Sequence, residues 1–239
     1  MNYKANEPLS YPKLLNFRDI GGYENKDGKK LRQGLIYRSD SLENLDESSL
    51  DDFKKLDIGD VIDFRVDEEI YKKHPLENDF FNYHRLPVMP PENLNLQKDV
   101  MYQIYIFFLE ERASQFILAL DLVANAKKNI VYHCTAGKDR TGILTMLILG
   151  ICKVADEQIV ADYESSGENN KSTLKYRKER MRKRGLKNIP EEIFISKSDD
   201  MKRILAYLNK KYQGIENYLL SKGMDIDSIE KIRAKMIEE

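Results

Sequence analysis

The sequence predicts an α/β fold: a mostly parallel sheet of about four to five strands, flanked by helices and followed by a helical C-terminal part. Three observations carry this. Short β-branched and aromatic runs ending in turn-like residues alternate with longer segments of helical period. Beyond residue 133 almost everything reads as helix. The 239 residues, 41% hydrophobic and 10% aromatic, suffice for a sizeable core and argue against disorder.

In chain order, the strands are expected at 35–38 (LIYR), 61–64 (VIDF), 80–86 (FFNYHRL) and 130–133 (IVYH). Residues 46–56 begin acidic and predict a helix. Residues 98–126 keep mostly helical spacing through Ile104, Phe107, Phe108, Phe116, Leu120 and Val123. Residues 141–153 (TGILTMLILGICK) are apolar nearly all round, as a helix enclosed between a sheet and other helices requires, and predict the central helix. Asp156 is placed to cap a helix through Tyr163. Tail helices follow near 199–211, 215–222 and 227–237, with Gly223 as a stop. No repeat or Pro/Gly/Ser linker divides the chain, so residues 1–239 predict a single domain, with a core at about 11–167 and a helical, partly basic extension or lid at about 168–239.

Charge narrows the function classes. With 39 basic and 40 acidic side chains the net is −1, unsuited to general nucleic-acid binding, which is driven by cations neutralising phosphates. Residues 171–187 depart from this balance, with nine basic residues against one acidic, a local +8 that leaves −9 for the rest. They read either as a solvated helix face or as a basic flank that attracts a phosphorylated partner. A bilayer span needs about 20 apolar residues, and the most apolar run, 143–152, is half that. The N-terminus lacks a basic stretch followed by an apolar core, so the expected location is cytoplasmic. Two cysteines, Cys134 and Cys152, exclude a disulfide framework and a thiolate-rich zinc site. His74 and His84 are too far apart in sequence for a local metal clip and read as surface residues.

The chemistry concentrates at 130–142, IVYHCTAGKDRTG: a strand, a seven-residue loop from Cys134 to Arg140, then a helix. A loop ending on a helix N-terminus points successive N–H groups into one concavity, and the helix dipole adds positive potential. Such a bowl binds a tetrahedral oxyanion. A cysteine at its base is favoured as thiolate, which makes Cys134 the candidate nucleophile. Gly137 permits the tight turn, Arg140 offers a planar fork to two phosphoryl oxygens, and Thr141 is placed to hydrogen-bond the sulfur.

HCTAGKDRTG carries the HCxxGxxR[S/T] signature and so resembles the cysteine-dependent protein tyrosine phosphatase superfamily; five constrained positions in fixed order arise by chance in about one chain in several thousand. NFRDIGGY (16–23), LIYRSD (35–40), VIDFRVDEE (61–69) and AGKDRTG (136–142) together resemble the atypical bacterial and fungal branch, with dual- and triple-specificity enzymes acting on phosphotyrosine and phosphoinositides. The resemblance covers residues 16 to about 163. It implies a tyrosine-phosphatase-like fold and two-step hydrolysis. Cys134 attacks phosphorus, Arg140 and the amides of Thr135, Ala136, Gly137 and Lys138 hold the equatorial oxygens, and water releases phosphate from the phosphocysteine. No cofactor or metal is expected, because arginine and amides supply the charge stabilisation.

Two aspartates compete as general acid: Asp139, favoured by the resemblance and by its place beside Arg140, and Asp63, at a strand end on the sheet's carboxyl edge. A mobile acid loop bearing Trp is excluded, since the chain has no Trp. Lys138 reads as a substrate contact, or else as a solvent-facing lysine. His133 is expected to sit behind the loop, orienting it and lowering the thiol pKa, as the family implies. Cys152 reads as a small buried hydrophobe. Arg18, Asp19, Arg38, Asp40 and Arg65 fit either loop-pinning ion pairs or substrate contacts.

The expected partners are a phosphotyrosine protein or peptide, a phosphoinositide, or both, with inorganic phosphate as product, no nucleic acid and at most transient membrane-surface contact. The alternatives are a phosphate-reading pseudophosphatase and a sulfurtransferase. A P-loop nucleotidase fails because Tyr132 stands where its first glycine belongs and Asp139 where it needs Ser or Thr.

Overall fold

The computed structural model describes residues 14–92, 98–183 and 190–238. The N-terminal expectations at 1–13 and the end of the basic segment, 184–187, lie outside the described residues.

Five strands form one sheet: β1 (Arg18–Asp19), β2 (Ile36–Ser39), β3 (Ile58–Asp63), β4 (Asn82–Arg85) and β5 (Asn129–His133), in the order β1-β2-β5-β3-β4. All neighbours are parallel except β1, which runs antiparallel to β2. This is the predicted mostly parallel sheet, with one strand added. β1 escaped prediction because two residues carry no periodicity; pairing of Arg18 with Arg38 and Asp19 with Tyr37 makes it a strand. At the other edge the expected 80–86 shrinks to four residues, and Phe80 stays exposed under the ammonium groups of Lys54 and Lys128.

The side chains of the inner strands alternate between two apolar layers. Val131, Val61, Ile58 and Tyr37 pack with Phe17, Phe53 and Phe81 on the side of α1 (Glu47–Lys55), whose N-cap is Asp46. Ile130, Tyr132, Ile62 and Ile36 face the larger layer. Central there is α4 (Asp139–Ile151), in which every residue from Thr141 to Leu149 is buried. It starts two residues earlier than the sequence suggests, so Asp139 and Arg140 form its first turn.

The expected helix at 98–126 is two, α2 (Val100–Glu111) and α3 (Ala113–Asn125), broken at Arg112 where φ is −125°. No Gly or Pro marks the break. The two helices separate because they pack on different partners, α2 on the later helical tail and α3 mainly on its last helix and α4. Next come α5 (Asp156–Asn169), capped at Ala155 rather than Asp156 and longer than expected, and α6 (Leu174–Lys183). The tail helices are α7 (Ser198–Tyr212), α8 (Ile215–Ser221) and α9 (Ile226–Met236), close to their predicted bounds. Gly223, at φ +91°, ends α8 as anticipated.

The tail shares the larger core through Ile204, Leu208, Leu219, Ile229 and Ile232. Glu110 on α2 anchors it, accepting from Tyr207, Tyr212, Lys211 and Lys222 at 2.5–3.0 Å. No helix of the described residues is long and apolar enough to cross a membrane.

Candidate active site

In the register of the sheet, His133 at the end of β5 lies between Ser39 of β2 and Asp63 of β3. Cys134 therefore leaves the sheet at its carboxyl edge, where three parallel strands finish together and loops converge. The loop it opens returns directly into α4.

Every carbonyl of that loop from Cys134 to Gly137 is tied to a donor. Cys134 O accepts from His133 Nδ1 at 3.1 Å and Thr135 O from the Ser41 amide at 3.2 Å. Ala136 O accepts from Asn16 and Asn170, and Gly137 O from Asn16 and from Arg38 at 2.7 Å. In a trans peptide the N–H points opposite to the C=O. Fixing the carbonyls thus turns the amides of Thr135, Ala136, Gly137 and Lys138 the other way, and none of them donates to an acceptor among the described residues. Gly137 makes the turn possible. Its φ is +63°, and a Cβ there would stand 2.5 Å from Ser39 O.

The donors have their own support. Arg18 and Arg38 are fully buried and share one carboxylate, Asp162, in ion pairs that also engage Ser166. Two guanidiniums on one carboxylate leave a buried positive charge beneath the loop, which favours anions above it. Asp40 accepts from the amides of Leu15 and Asn16, and burial pushes its carboxyl up to about 6. Asp19 caps the turn at Gly21 and Gly34. Arg18 and Arg38 thus form the buried ion pairs of the loop-pinning alternative, with Asp162 as their partner, whereas Asp19 and Asp40 pin their turns through backbone amides instead.

Cys134 is 2% exposed at the base of the loop. Arg140 reaches beside it and is clamped by Glu69, a residue that no sequence pattern singles out. Glu69 accepts NH1 at 2.6 Å and NH2 at 2.8 Å, and also the Thr135 hydroxyl at 2.5 Å. Burial alone would raise the Glu69 carboxyl, but the Arg140 charge outweighs it and holds the group down at about 2. Glu69 belongs to the VIDFRVDEE block, yet nothing in that string marks it as the partner of an arginine 71 residues on.

Thr141 departs from expectation. Its hydroxyl is buried without a hydrogen-bond partner, so it does not bond the Cys134 sulfur. The early start of α4 places Thr141 as the third helical residue rather than the first beyond the loop.

Asp139 accepts the Tyr105 hydroxyl at 2.5 Å and Lys138 Nζ at 3.1 Å, and Tyr105 is held in turn by Tyr163 at 2.6 Å. Burial opposes ionisation of Asp139, but the Lys138 charge and the tyrosine hydrogen bond prevail and lower its pKa. A quarter of its side chain remains exposed. Lys138 is not solvent-facing. Its ammonium is fully enclosed, on Asp139 and on Ile193 O at 3.1 Å. Asp63 is enclosed too, held by Arg65 through Nε and NH2 and by Tyr83 at 2.5 Å. The Asp63 side chain is fully buried.

The expectation that His74 lies on the surface is wrong. It is 2% exposed and its ring stacks on His133 at 5.1 Å, because the sheet edge and the loop after β3 close over it. His84 instead pairs with Asp60 and is half-buried. Asp63, His74 and His133 converge within 4.8 Å, as a metal-ligand set would. Their hydrogen bonds argue against one. His74 Nδ1 accepts from the Leu76 amide, which puts its proton on Nε2 and leaves no lone pair facing the cluster, and the Asp63 oxygen is already taken by Arg65 and Tyr83. Burial keeps both imidazoles neutral, His74 with its pKa pushed down to about 2. Cys152 is buried at the opposite end of α4, about 20 Å along the helix from the loop, its thiol pushed up to about 12 by burial.

Comparison with known proteins agrees with this geometry. A family described as the tyrosine phosphatase family matches residues 9–238. A protein of Cupriavidus necator that bears the name "putative tyrosine-protein phosphatase" is 30% identical over 177 residues, 68% of this chain, and the chain spans 64% of that relative's length. One from Nostoc commune is 28% identical, covering 83% of this chain and 73% of the relative. The triple specificity protein phosphatase PtpB of Mycobacterium tuberculosis is 26% identical, covering 66% and 68%.

Proposed function

Because the chain belongs to the tyrosine phosphatase family, we propose that it hydrolyses phosphomonoesters, phosphotyrosine first among them, through a phosphocysteine on Cys134. The observation that supports this most is the set of four undonated amides, Thr135 to Lys138, fixed by outward-tied carbonyls between a cysteine and an arginine. A preorganised cradle of this kind stabilises charge developing on three oxygens at no reorganisation cost.

In this reading the Cys134 thiolate attacks phosphorus. The S–P bond forms as the P–O bond breaks, and Asp139 delivers its proton to the leaving oxygen. Water then attacks phosphorus, Asp139 takes its proton, the S–P bond breaks and phosphate leaves. The dianionic phosphoryl group opposes ionisation of Asp139 and so favours the protonated acid that the first step needs. Exposure favours Asp139 over the enclosed Asp63. Lys138 enters as the cation that positions Asp139, and it meets substrate through its backbone amide rather than its enclosed ammonium. His133 fixes the Cys134 carbonyl. Thr141 lines the rear of the cradle, and residues 1–239 act as one unit with no metal required. Phosphoinositides are a second substrate class in this reading, supported by the positive charge of residues 171–187.

The test is para-nitrophenyl phosphate turnover with chelator present, comparing wild type with Cys134→Ser. Turnover abolished by the substitution supports the reading. Phosphate binding without turnover by reduced wild type would replace it with a phosphate-reading module.

A further inference from the structure

The basic segment contains one residue unlike its neighbours. Lys178 on α6 pairs with Glu191 at 2.8 Å, Lys183 with Glu179, and Lys171, in the turn before the helix, with Glu168, while Lys175 and Arg182 are exposed. Arg177 has no carboxylate partner among the described residues. It lies partly buried against the Phe194 ring, centroid 5.6 Å away, with its guanidinium 3.5 Å from Phe194 O. The preceding carbonyl, Ile193 O, holds Lys138 of the loop. Adjacent carbonyls of one short turn thus bring a cation of α6 next to a cation of the candidate active site.

Two like charges on neighbouring carbonyls are tolerated only where anions answer both. Lys138 is answered by Asp139. Burial lowers the pKa of Arg177, and the acidic groups that oppose this are Asp139 and Cys134 of the loop. Arg140 is already neutralised by Glu69. Arg177 is therefore left at the edge of the loop, one carbonyl away from Lys138, without a carboxylate pair among the described residues.

We infer that Arg177 is a second anion-binding residue of the active site, contributed by α6, which stabilises the Cys134 thiolate and takes an oxygen of the bound phosphoryl group, while Lys171, Lys175, Lys178, Arg182 and Lys183 are surface charge. This rests on the phosphatase reading for its catalytic consequence, but phosphate binding tests it separately.

The experiment compares the full chain carrying Arg177→Met, which keeps the apolar stem on Phe194, with Arg177→Lys and with Lys178→Gln. Three quantities are read: the affinity for inorganic phosphate by calorimetry, the pH midpoint of Cys134 alkylation by iodoacetamide, and the melting temperature. Arg177→Met should weaken phosphate binding tenfold or more and move the alkylation midpoint upward, Arg177→Lys should recover part of both, and Lys178→Gln should change neither. Unaltered binding and alkylation in Arg177→Met overturn the inference. Equal losses in Arg177→Met and Lys178→Gln that vanish at high salt also overturn it, since they describe a general field rather than a site. Loss of folding in Arg177→Met with wild-type phosphate binding and alkylation in a folded Arg177→Gln would likewise assign the residue to structure alone. A wild type that binds phosphate without turnover removes the phosphatase reading and leaves the Arg177 result intact.

Discussion

Glu69 and Arg140, 71 residues apart, meet through two parallel hydrogen bonds of 2.6 and 2.8 Å, so the guanidinium next to Cys134 is held in one plane before any ligand arrives. Bidentate pairing of this kind fixes direction as well as charge. Glu69→Gln keeps the shape and removes the charge. It should lower kcat/KM on para-nitrophenyl phosphate about tenfold or more and cost about 2–4 kcal/mol in denaturant unfolding, because a nearly enclosed guanidinium loses its counter-ion. The pH dependence has a definite sign. A carboxyl near 2 in the folded chain and 4.5 in the unfolded one contributes stability above pH 4.5 that is lost as pH falls toward 2. Unfolding curves between pH 2 and 5 should be flatter in Glu69→Gln than in wild type.

Asp139→Asn should depress turnover of alkyl or aryl phosphates with poor leaving groups far more than turnover of para-nitrophenyl phosphate, whose leaving oxygen needs less protonation. Tyr105→Phe removes a hydrogen bond that favours the Asp139 carboxylate, so the basic limb of the kcat profile should move to higher pH. A profile identical to wild type in Tyr105→Phe would disconnect Asp139 from that limb.

Gly137→Ala tests the loop geometry. The residue needs φ +63° and has Ser39 O where the methyl carbon would go, 2.5 Å away. Backbone strain of about 1–2 kcal/mol plus this clash should shift the amides by enough to cost about a hundredfold in kcat. The check is steady-state kinetics beside the melting temperature; a protein that melts early but turns over normally would contradict the role given to the cradle.

Asp162→Asn leaves Arg18 and Arg38 buried without a carboxylate. Removing one partner of a buried ionic cluster costs about 3–5 kcal/mol. Denaturant unfolding should show that loss, and the loop, tied to Arg38 through Gly137 O, should become more accessible to alkylation at Cys134.

The candidate loop is legible in the sequence because its residues are contiguous: the proposed nucleophile, the turn glycine, the proposed acid and the arginine fall within seven residues, so the order of residue types specifies the geometry. The parallel strands and α4 are equally plain, since burial on both faces of a strand or all round a helix leaves a continuous apolar run. What surrounds the loop is not legible. Glu69, Tyr105, Asn16, Asp162 and His74 are single polar residues that no local pattern distinguishes, and Arg177 is one of nine basic residues in a run that does not mark it out; each gains its role only from a contact with a residue distant along the chain.

The same division explains the errors. The break at Arg112 and the burial of His74 depend on which elements pack together, and local periodicity carries no information about that. Sequence alone determined the candidate loop and the sheet and helix that present it, because these are set by residue types adjacent along the chain. Only the tertiary structure decided which charges neutralise Arg140, Lys138 and the buried arginines, and which one was left over, because charge pairing depends on distances set by the order of the strands and the docking of the tail.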